Sequence, residues 1–156
     1  MYQRILVPID GSPTSARGLA EAIKLGQLTG AKLRLIHVVD ELSFALGASQ
    51  GVTLTGDVLN LLREAGAEIV TQGAASVRAA GLAVDTVLKD SFAGRVSDLV
   101  IAEAGVWPAD LIVLGTHGRR GLGRMFMGSD AETIVRSAPV PVLLLRATPQ
   151  ATAKPG

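Results

Sequence analysis

The chain has 156 residues, enough for one domain with a hydrophobic core of its own. Its formal net charge is only +1, whereas dedicated nucleic-acid binders usually carry a basic face. It contains one Trp, one Tyr and three Phe, too few to favour stacking of single-stranded bases, so we expect no nucleic-acid partner. It has no cysteine, which excludes disulfides and thiolate metal sites. No apolar run approaches the roughly 18 residues of a membrane-spanning helix. Residues 1–4 lead directly into a strand pattern, so we expect no secretory signal. Without a targeting or membrane-spanning segment, we expect a cytoplasmic location and no membrane partner.

Strand-like and helix-like segments alternate along the chain. The apolar patterns predict strands at 4–9, 32–39, 82–88, 109–114 and 140–145. They predict helices at 14–29, 57–80, 94–104 and 130–137, with Ser12 as a cap of the first. Residues 40–56 have no sustained period and are interpreted as a long connection, with a lid as one reading. This order predicts an α/β domain over residues 1–147, an open parallel sheet with helices on both faces, and a disordered tail at 148–156.

The most informative segment is residues 115–129, GTHGRRGLGRMFMGS. It follows the apolar strand 111–114, leads into a helical pattern, and contains glycines at positions 115, 118, 121, 123 and 128. Glycines let the backbone approach a ligand closely, and the free N–H groups of a helix start attract an anion. Arg119, Arg120 and Arg124 add positive charge suited to phosphate oxygens. The segment therefore predicts a phosphate-binding loop, with a flexible surface turn as the alternative.

Several side chains have two interpretations. Ser129 is expected to cap the following helix in a capping box with Glu132, a role that can coexist with a hydrogen bond to phosphate. Asp130 suits the helix dipole but would repel a phosphate placed there. Asp10, which ends strand one, suits a ribose hydroxyl or a metal as well as it suits a turn. His37 is expected to be a satisfied core histidine, whereas His117 either contacts a phosphate or is exposed.

Signatures of several enzyme classes are missing from the sequence. It contains no G-x-x-x-x-G-K-[ST] loop, no G-x-S-x-G elbow and no His-rich metal pattern. Asp10-Gly11-Ser12-Pro13 stands where a dinucleotide-binding fold has its G-x-G-x-x-G. No clear nucleophile–base pair is recognisable either, so no catalytic residue is assigned and the metal ligands stay unknown.

The spacing Gly115-x2-Gly118-x9-Gly128-Ser129 resembles the nucleotide loop of the universal stress protein family, G-x2-G-x9-G-[ST]. Similar landmarks occur at 5–12, 35–40, 109–115 and 138–143, so the resemblance spans residues 2–146. It implies a Rossmann-like sheet of the adenine nucleotide alpha hydrolase type with strand order 3-2-1-4-5. It also implies ATP in the crevice between strands one and four, and a homodimer in which residues 140–145 take part.

The resemblance implies two sets of binding residues. The set at the base and ribose is Pro8, Asp10, Val38 (through its backbone), Leu114 and Gly115. The set at the phosphates is Gly118, Gly128 and Ser129, with Thr116, His117 and Arg119 nearby. A divalent ion such as Mg²⁺ or Mn²⁺ on the phosphates is compatible with the resemblance. Asp130 stands where many ATP-binding members have a small apolar residue, which leaves the number of phosphates open.

A phosphate loop without a recognisable catalytic constellation predicts an ATP-binding stress-response or signalling module with little or no turnover. One alternative is a slow ATPase or phosphotransferase, with Asp10 on the metal and a loop Ser or Thr accepting phosphate. The other is a sensor of AMP or cyclic AMP, because Asp130 would disfavour additional phosphates.

Overall fold

The computed structural model of the protein describes residues 1–41, 44, 55–116 and 127–146, with Ala93 described by its backbone only. The strands are β1 (Arg4–Pro8), β2 (Lys32–Val39), β3 (Val84–Asp90), β4 (Leu111–Gly115) and β5 (Val142–Leu145). The helices are α1 (Pro13–Thr29), α2 (Gly56–Ala79), α3 (Val96–Val106) and α4 (Ser129–Ser137), and a 3-10 turn, Ser91–Ala93, precedes α3. Each boundary lies within two residues of its prediction.

The five strands form one parallel sheet in the order β3-β2-β1-β4-β5, which confirms the predicted fold. The central strand β1 is apolar on both faces, with Ile5, Leu6 and Val7 fully buried, because helices cover both sides of the sheet. β5 lies at one edge and begins directly after Pro141. This position suits a proline, which has no N–H to donate to a neighbouring strand.

Two hydrophobic layers enclose the sheet, and alternate residues of each strand belong to different layers. Val7 and Leu35 pack with apolar residues of α1 and α2. Leu6 and Ile36 pack with apolar residues of α3 and α4 on the other face. Because all five strands are parallel, their carboxyl ends lie at one edge of the sheet. Two helices cover each face.

Apolar periodicity predicts that α1 buries a stripe of Ala16, Leu19, Ala20, Ile23 and Gln27, and the observed buried side differs from it. Leu19 is buried as expected, but Ala16, Ala20 and Gln27 are exposed. Gly18 and Gly26 face the sheet instead, and a Cβ on Gly26 would come within 2.9 Å of the Leu33 side chain. The helix turns its smallest residues inward because it packs closely on the strands, and apolar periodicity underweights glycine for that role.

Charged side chains cross the sheet face that lies under α3. Arg34 on β2 donates to Glu103 of α3 at 2.8 Å and to Asp85 of β3 at 3.0 Å. Its guanidinium carbon lies 4.8 Å from the centre of the Trp107 ring. A hydrogen bond from Lys32, together with the one from Arg34, lowers the pKa of Asp85 below its usual 3.8. Arg34 therefore ties α3 to two neighbouring strands.

Three predicted features fall wholly or mainly on residues outside those that the structure describes. They are residues 117–126 of the glycine-rich segment, most of the 40–56 connection, and the tail at 148–156. Within the described part of the connection, the N–H of Phe44 donates to the carbonyl of Asp40 at 3.1 Å. This hydrogen bond directly follows β2 and was not predicted from the sequence pattern.

Candidate functional site

The candidate site lies where the strand order reverses. β1 pairs with β2 on one side and with β4 on the other, so the chain leaves the ends of β1 and β4 toward opposite faces. Such a point opens a crevice beyond the carboxyl ends of the strands. Pro8 ends β1 and Gly115 ends β4, which places both of these predicted site residues at the crevice.

The turn after β1 is built around Asp10. Its Oδ1 accepts a hydrogen bond from the N–H of Ser12 at 2.9 Å, and its own N–H donates to Ser15 Oγ at 3.1 Å. Gly11 has a φ of 78°, a backbone conformation that residues other than glycine rarely adopt. The carboxylate of Asp10 thus takes part in a local turn, the second of the two roles that the sequence allowed.

Ser12 caps α1, as predicted. Its Oγ accepts the N–H of Ser15 at 3.2 Å, and Pro13 occupies the first turn of the helix. The hydroxyls of Ser12 and Thr14 lie 3.3 Å apart and both residues are buried. Thr14 and Ser15 were not singled out from the sequence, although the run Ser12-Pro13-Thr14-Ser15 places three hydroxyls beside one helix start.

The end of β4 lies directly against the start of α1. A Cβ added to Gly115 would lie 2.7 Å from the carbonyl oxygen of Thr14, closer than any real side chain could approach. One turn further along α1, a Cβ on Gly18 would lie 3.4 Å from the N atom of Gly115. Glycine at 115 is therefore required by packing, whether or not a ligand is bound.

The two ends of the glycine-rich segment are joined by a backbone hydrogen bond. The carbonyl of Thr116 accepts the N–H of Gly128 at 2.8 Å, and the N–H of Thr116 donates to Leu145 of β5 at 2.8 Å. Thr116 is buried. The end of β4 and the amino end of α4 are thereby held side by side. His117, Gly118 and Arg119 lie outside the described residues, so their predicted roles stay predictions.

The predicted capping box at α4 is wrong. Gly128 is the N-cap residue, with φ −60° and ψ 150°, and its carbonyl accepts the N–H of Glu132 at 2.9 Å. The helix thus begins one residue earlier than expected, and Ser129 is its first helical residue. Glu132 pairs with Arg136 at 2.9 Å instead of turning back to the cap. The Ser129 hydroxyl is exposed and makes no hydrogen bond among the described residues, so capping does not occupy it.

Asp130 is directed to another helix. Its Oδ1 accepts the backbone N–H of Ser97, in the first turn of α3, at 3.3 Å. The sequence indicated that this carboxylate suits the dipole of α4 but would repel a phosphate placed at the start of that helix. The observed hydrogen bond assigns it to the amino end of α3, because the two helices pack side by side on the same face of the sheet.

The two remaining described members of the predicted set lie near the carboxyl ends of β2 and β4. Leu114 is buried near the end of β4, and Val38 is buried in β2, two residues after Ile36, whose carbonyl accepts the N–H of Ile9 at 2.9 Å. His37 is buried, and its Nδ1 lies 2.8 Å from the carbonyl oxygen of Ile9. His37 is thus the satisfied core histidine that was predicted.

A buried carboxylate next to the site was missed from the sequence. Glu41, just beyond β2, has a fully buried side chain, and within the described residues neither of its carboxylate oxygens accepts a hydrogen bond of good geometry. Burial raises its pKa above the usual 4.5, and the nearby charge of Asp90 raises it further. Arg63 of α2, with Nη2 at 3.6 Å, opposes that rise, but its Nε lies closer to Asp90, at 3.2 Å. No local pattern marks a residue whose burial depends on α2 and β3.

Two kinds of feature are absent from the described part of the chain. No group of three or more His, Asp or Glu side chains is placed to hold a metal ion there. No helix there is long and apolar enough to cross a membrane.

Comparison with known proteins identifies the family of this chain. A sequence model described as "Universal stress protein family" matches residues 1–146. The chain belongs to that family. The protein is 30% identical over 149 residues to a universal stress protein of Methanocaldococcus jannaschii, covering 94% of this chain and 83% of the relative. It is 32% identical over 146 residues to Universal stress protein A homolog 2 of Coxiella burnetii, covering 93% and 95% of the two chains.

Solved structures share the fold of this universal stress protein. The hypothetical protein MJ0577 superimposes with a TM-score of 0.82 at 23% identity, covering 96% of this chain and 99% of the other. A universal stress protein of Archaeoglobus fulgidus in complex with dAMP gives a TM-score of 0.65 at 21% identity, covering 92% and 98%. Another universal stress protein, in complex with cAMP, gives 0.66 at 20% identity, covering 94% and 98%.

Proposed function

We propose that this universal stress protein binds ATP in the crevice between β1 and β4 and acts as a stress-response or signalling module with little or no turnover. The observation that carries the proposal is the hydrogen bond between Gly128 and Thr116. It holds the amino end of α4, with its free N–H groups and the exposed Ser129 hydroxyl, beside the end of β4. Backbone N–H groups at a helix start are well suited to phosphate oxygens.

The proposed contacts follow the two predicted sets. Base and ribose lie against Pro8, Asp10, the backbone of Val38, Leu114 and Gly115. Phosphates are held by Gly118, Gly128 and Ser129, with Thr116, His117 and Arg119 nearby. The described members of both sets lie near the carboxyl ends of β1, β2 and β4 or at the amino end of α4, which supports one continuous binding surface.

We prefer ATP as the ligand because the position of the Asp130 carboxylate is compatible with several phosphates. This carboxylate accepts a hydrogen bond from Ser97 at the positive end of the α3 dipole, which offsets its charge. A nucleoside monophosphate is the second candidate, since relatives of this fold have been solved with cAMP and with dAMP. The slow ATPase is less favoured, because no nucleophile–base pair is recognisable in the sequence.

We further propose a cytoplasmic homodimer in which β5 takes part. β5 is an edge strand, and an edge strand presents unpaired backbone groups to a partner. Its Leu143 side chain is 36% exposed, and Val135 of the adjoining α4 is 45% exposed. Burial of these apolar side chains against a second copy would remove them from water.

The nucleotide proposal is tested by isothermal titration and thermal shift with AMP, cyclic AMP, ADP and ATP, each with and without Mg²⁺. We expect ATP to bind most tightly. Tightest binding of AMP or cyclic AMP would favour the second candidate. Absence of both a heat of binding and a thermal shift with every nucleotide at millimolar concentration would contradict the proposal. Release of phosphate from labelled ATP, lost in Asp10→Ala, would favour the ATPase.

A further inference from the structure

Helix α3 begins without a cap of its own. The residue at its N-cap is Arg95, whose side chain makes no capping hydrogen bond. Its first turn includes Ser97, which is 1% exposed, so water has little access to satisfy the orphan N–H groups there. An unsatisfied buried N–H is costly. Asp130 of α4 supplies the missing acceptor for the N–H of Ser97.

The same hydrogen bond fixes the amino end of α4. This helix has only nine residues, and its N-cap, Gly128, has no side chain with which to cap it. Such a short helix depends on tertiary contacts for its orientation. Among the described residues, its first turn has two hydrogen-bonded anchors, Gly128 on Thr116 and Asp130 on Ser97. Ser129 lies between these two anchors.

We propose that Asp130 is a positioning residue for phosphate binding, an inference that rests on the proposed function. By holding α4 to α3, Asp130 fixes the direction in which Ser129 presents its N–H group and its hydroxyl to the phosphates, while the N–H of Gly128 is donated to Thr116. Its negative charge faces the positive end of the α3 dipole rather than the ligand. Phosphate binding is thereby linked to the amino end of α3, 33 residues away in sequence.

Two variants separate positioning from repulsion. Asp130→Ala removes the acceptor and the charge, whereas Asp130→Asn removes the charge and keeps an amide oxygen that can accept from Ser97. We expect Asp130→Ala to weaken AMP and ATP binding about fivefold, the lower end of typical coupling between linked sites. Adenosine, which has no phosphate, should bind equally to both variants and to the wild type, and Asp130→Asn should restore most of the lost affinity.

The matched control is Glu132→Ala. Glu132 is another carboxylate in the first turn of α4, but it hydrogen-bonds the exposed Arg136 of its own helix instead of a residue of α3. Its removal changes the charge near the ligand without releasing the helix, so AMP and ATP affinities should stay within twofold of the wild type.

Three results would overturn the inference. If both Asp130 variants bind ATP more tightly than the wild type, the Asp130 carboxylate repels the phosphates. If Asp130→Ala binds AMP and ATP as tightly as the wild type, Asp130 has no positioning role. Failure of the wild type to bind any of the three ligands would overturn the proposed function together with this role. Hydrogen exchange of the Ser97 amide, measured without ligand, tests the contact separately: it should speed up in Asp130→Ala and stay slow in Asp130→Asn.

Discussion

The backbone of Gly115, at the end of β4, packs against the backbone of Thr14, in the first turn of α1, with no room for a methyl group between them. A Cβ at position 115 would lie 2.7 Å from the Thr14 carbonyl oxygen and 2.9 Å from the Thr14 Cβ. Two backbone segments are therefore in direct contact at the edge of the sheet where β1 and β4 end. A change in either would move both β4 and α1 at the proposed binding site.

Gly115→Ala should lower the free energy of unfolding by about 1–3 kcal/mol, because the added methyl forces two backbones apart. Chemical denaturation measures the effect. The matched control is Gly105→Ala in α3, where nothing lies within 4 Å of the added methyl. That change should stabilise the protein by about 0.5–1 kcal/mol through helix propensity. Equal stability of the two variants would contradict the close contact.

Gly128→Ser should separate folding from nucleotide binding. Position 128 has φ −60° and ψ 150°, which any residue adopts, and the nearest atom to an added Cβ is the Thr116 carbonyl oxygen at 3.5 Å. Serine is a good N-cap, so stability should be unchanged or rise by a few tenths of a kcal/mol. We expect weaker ATP binding in titration, since the side chain occupies space next to the phosphates. Unchanged ATP affinity would argue against phosphate contact at Gly128.

Glu41→Gln should alter the pH dependence of stability. The pKa of Glu41 is raised in the folded state, so the folded protein holds this proton more tightly than the unfolded chain does. The resulting stability is present below about 4.5 and is lost as the pH rises through the raised folded pKa. Above that window the variant, which has no charge to bury, should melt at a higher temperature than the wild type.

Thermal melts from pH 4 to pH 8 would measure this difference. We expect the gap between Glu41→Gln and the wild type to widen as the pH rises. Glu132→Gln is the control, since Glu132 is half exposed and paired with Arg136. Parallel curves for Glu41→Gln and the wild type would rule out an ionised, buried Glu41.

Arg34→Met should destabilise the protein by about 3 kcal/mol, because Glu103 would keep its buried charge after losing its nearest partner. Lys89, at 3.5 Å from Glu103, compensates only in part. Lys32→Met removes the other partner of Asp85, which is more exposed, and should cost no more than about 1 kcal/mol. Urea denaturation compares the two variants, and similar losses would show that burial of Glu103 is unimportant.

Leu143→Glu should convert the proposed dimer to a monomer, because it places a charge on the exposed side of the edge strand β5. Light scattering after size-exclusion chromatography measures the mass. Val106→Glu is the control: Val106 is 79% exposed at the end of α3, so this change should leave the mass unaltered. A monomeric wild type, or a dimer that persists in Leu143→Glu, would contradict the role of β5.

The alternation of strands and helices was predictable because apolar periodicity is a local property of the chain. The glycine spacing that carries the family resemblance is local too, and so is the cap of α1, since Ser12 and Ser15 lie within one turn. His37 was also interpreted correctly, as a core residue, from its place within an apolar strand.

The errors at α4 have a different origin. Sequence alone placed the cap at Ser129, but the backbone of Gly128 is fixed by Thr116, twelve residues earlier in the chain. The partner of Asp130 lies on another helix, and the burial of Glu41 depends on elements that follow it in the chain. By itself, the sequence determined the order of elements and the type of loop, because these follow from neighbouring residues. Only the tertiary structure decided which polar groups meet, because packing brings distant segments within hydrogen-bond reach.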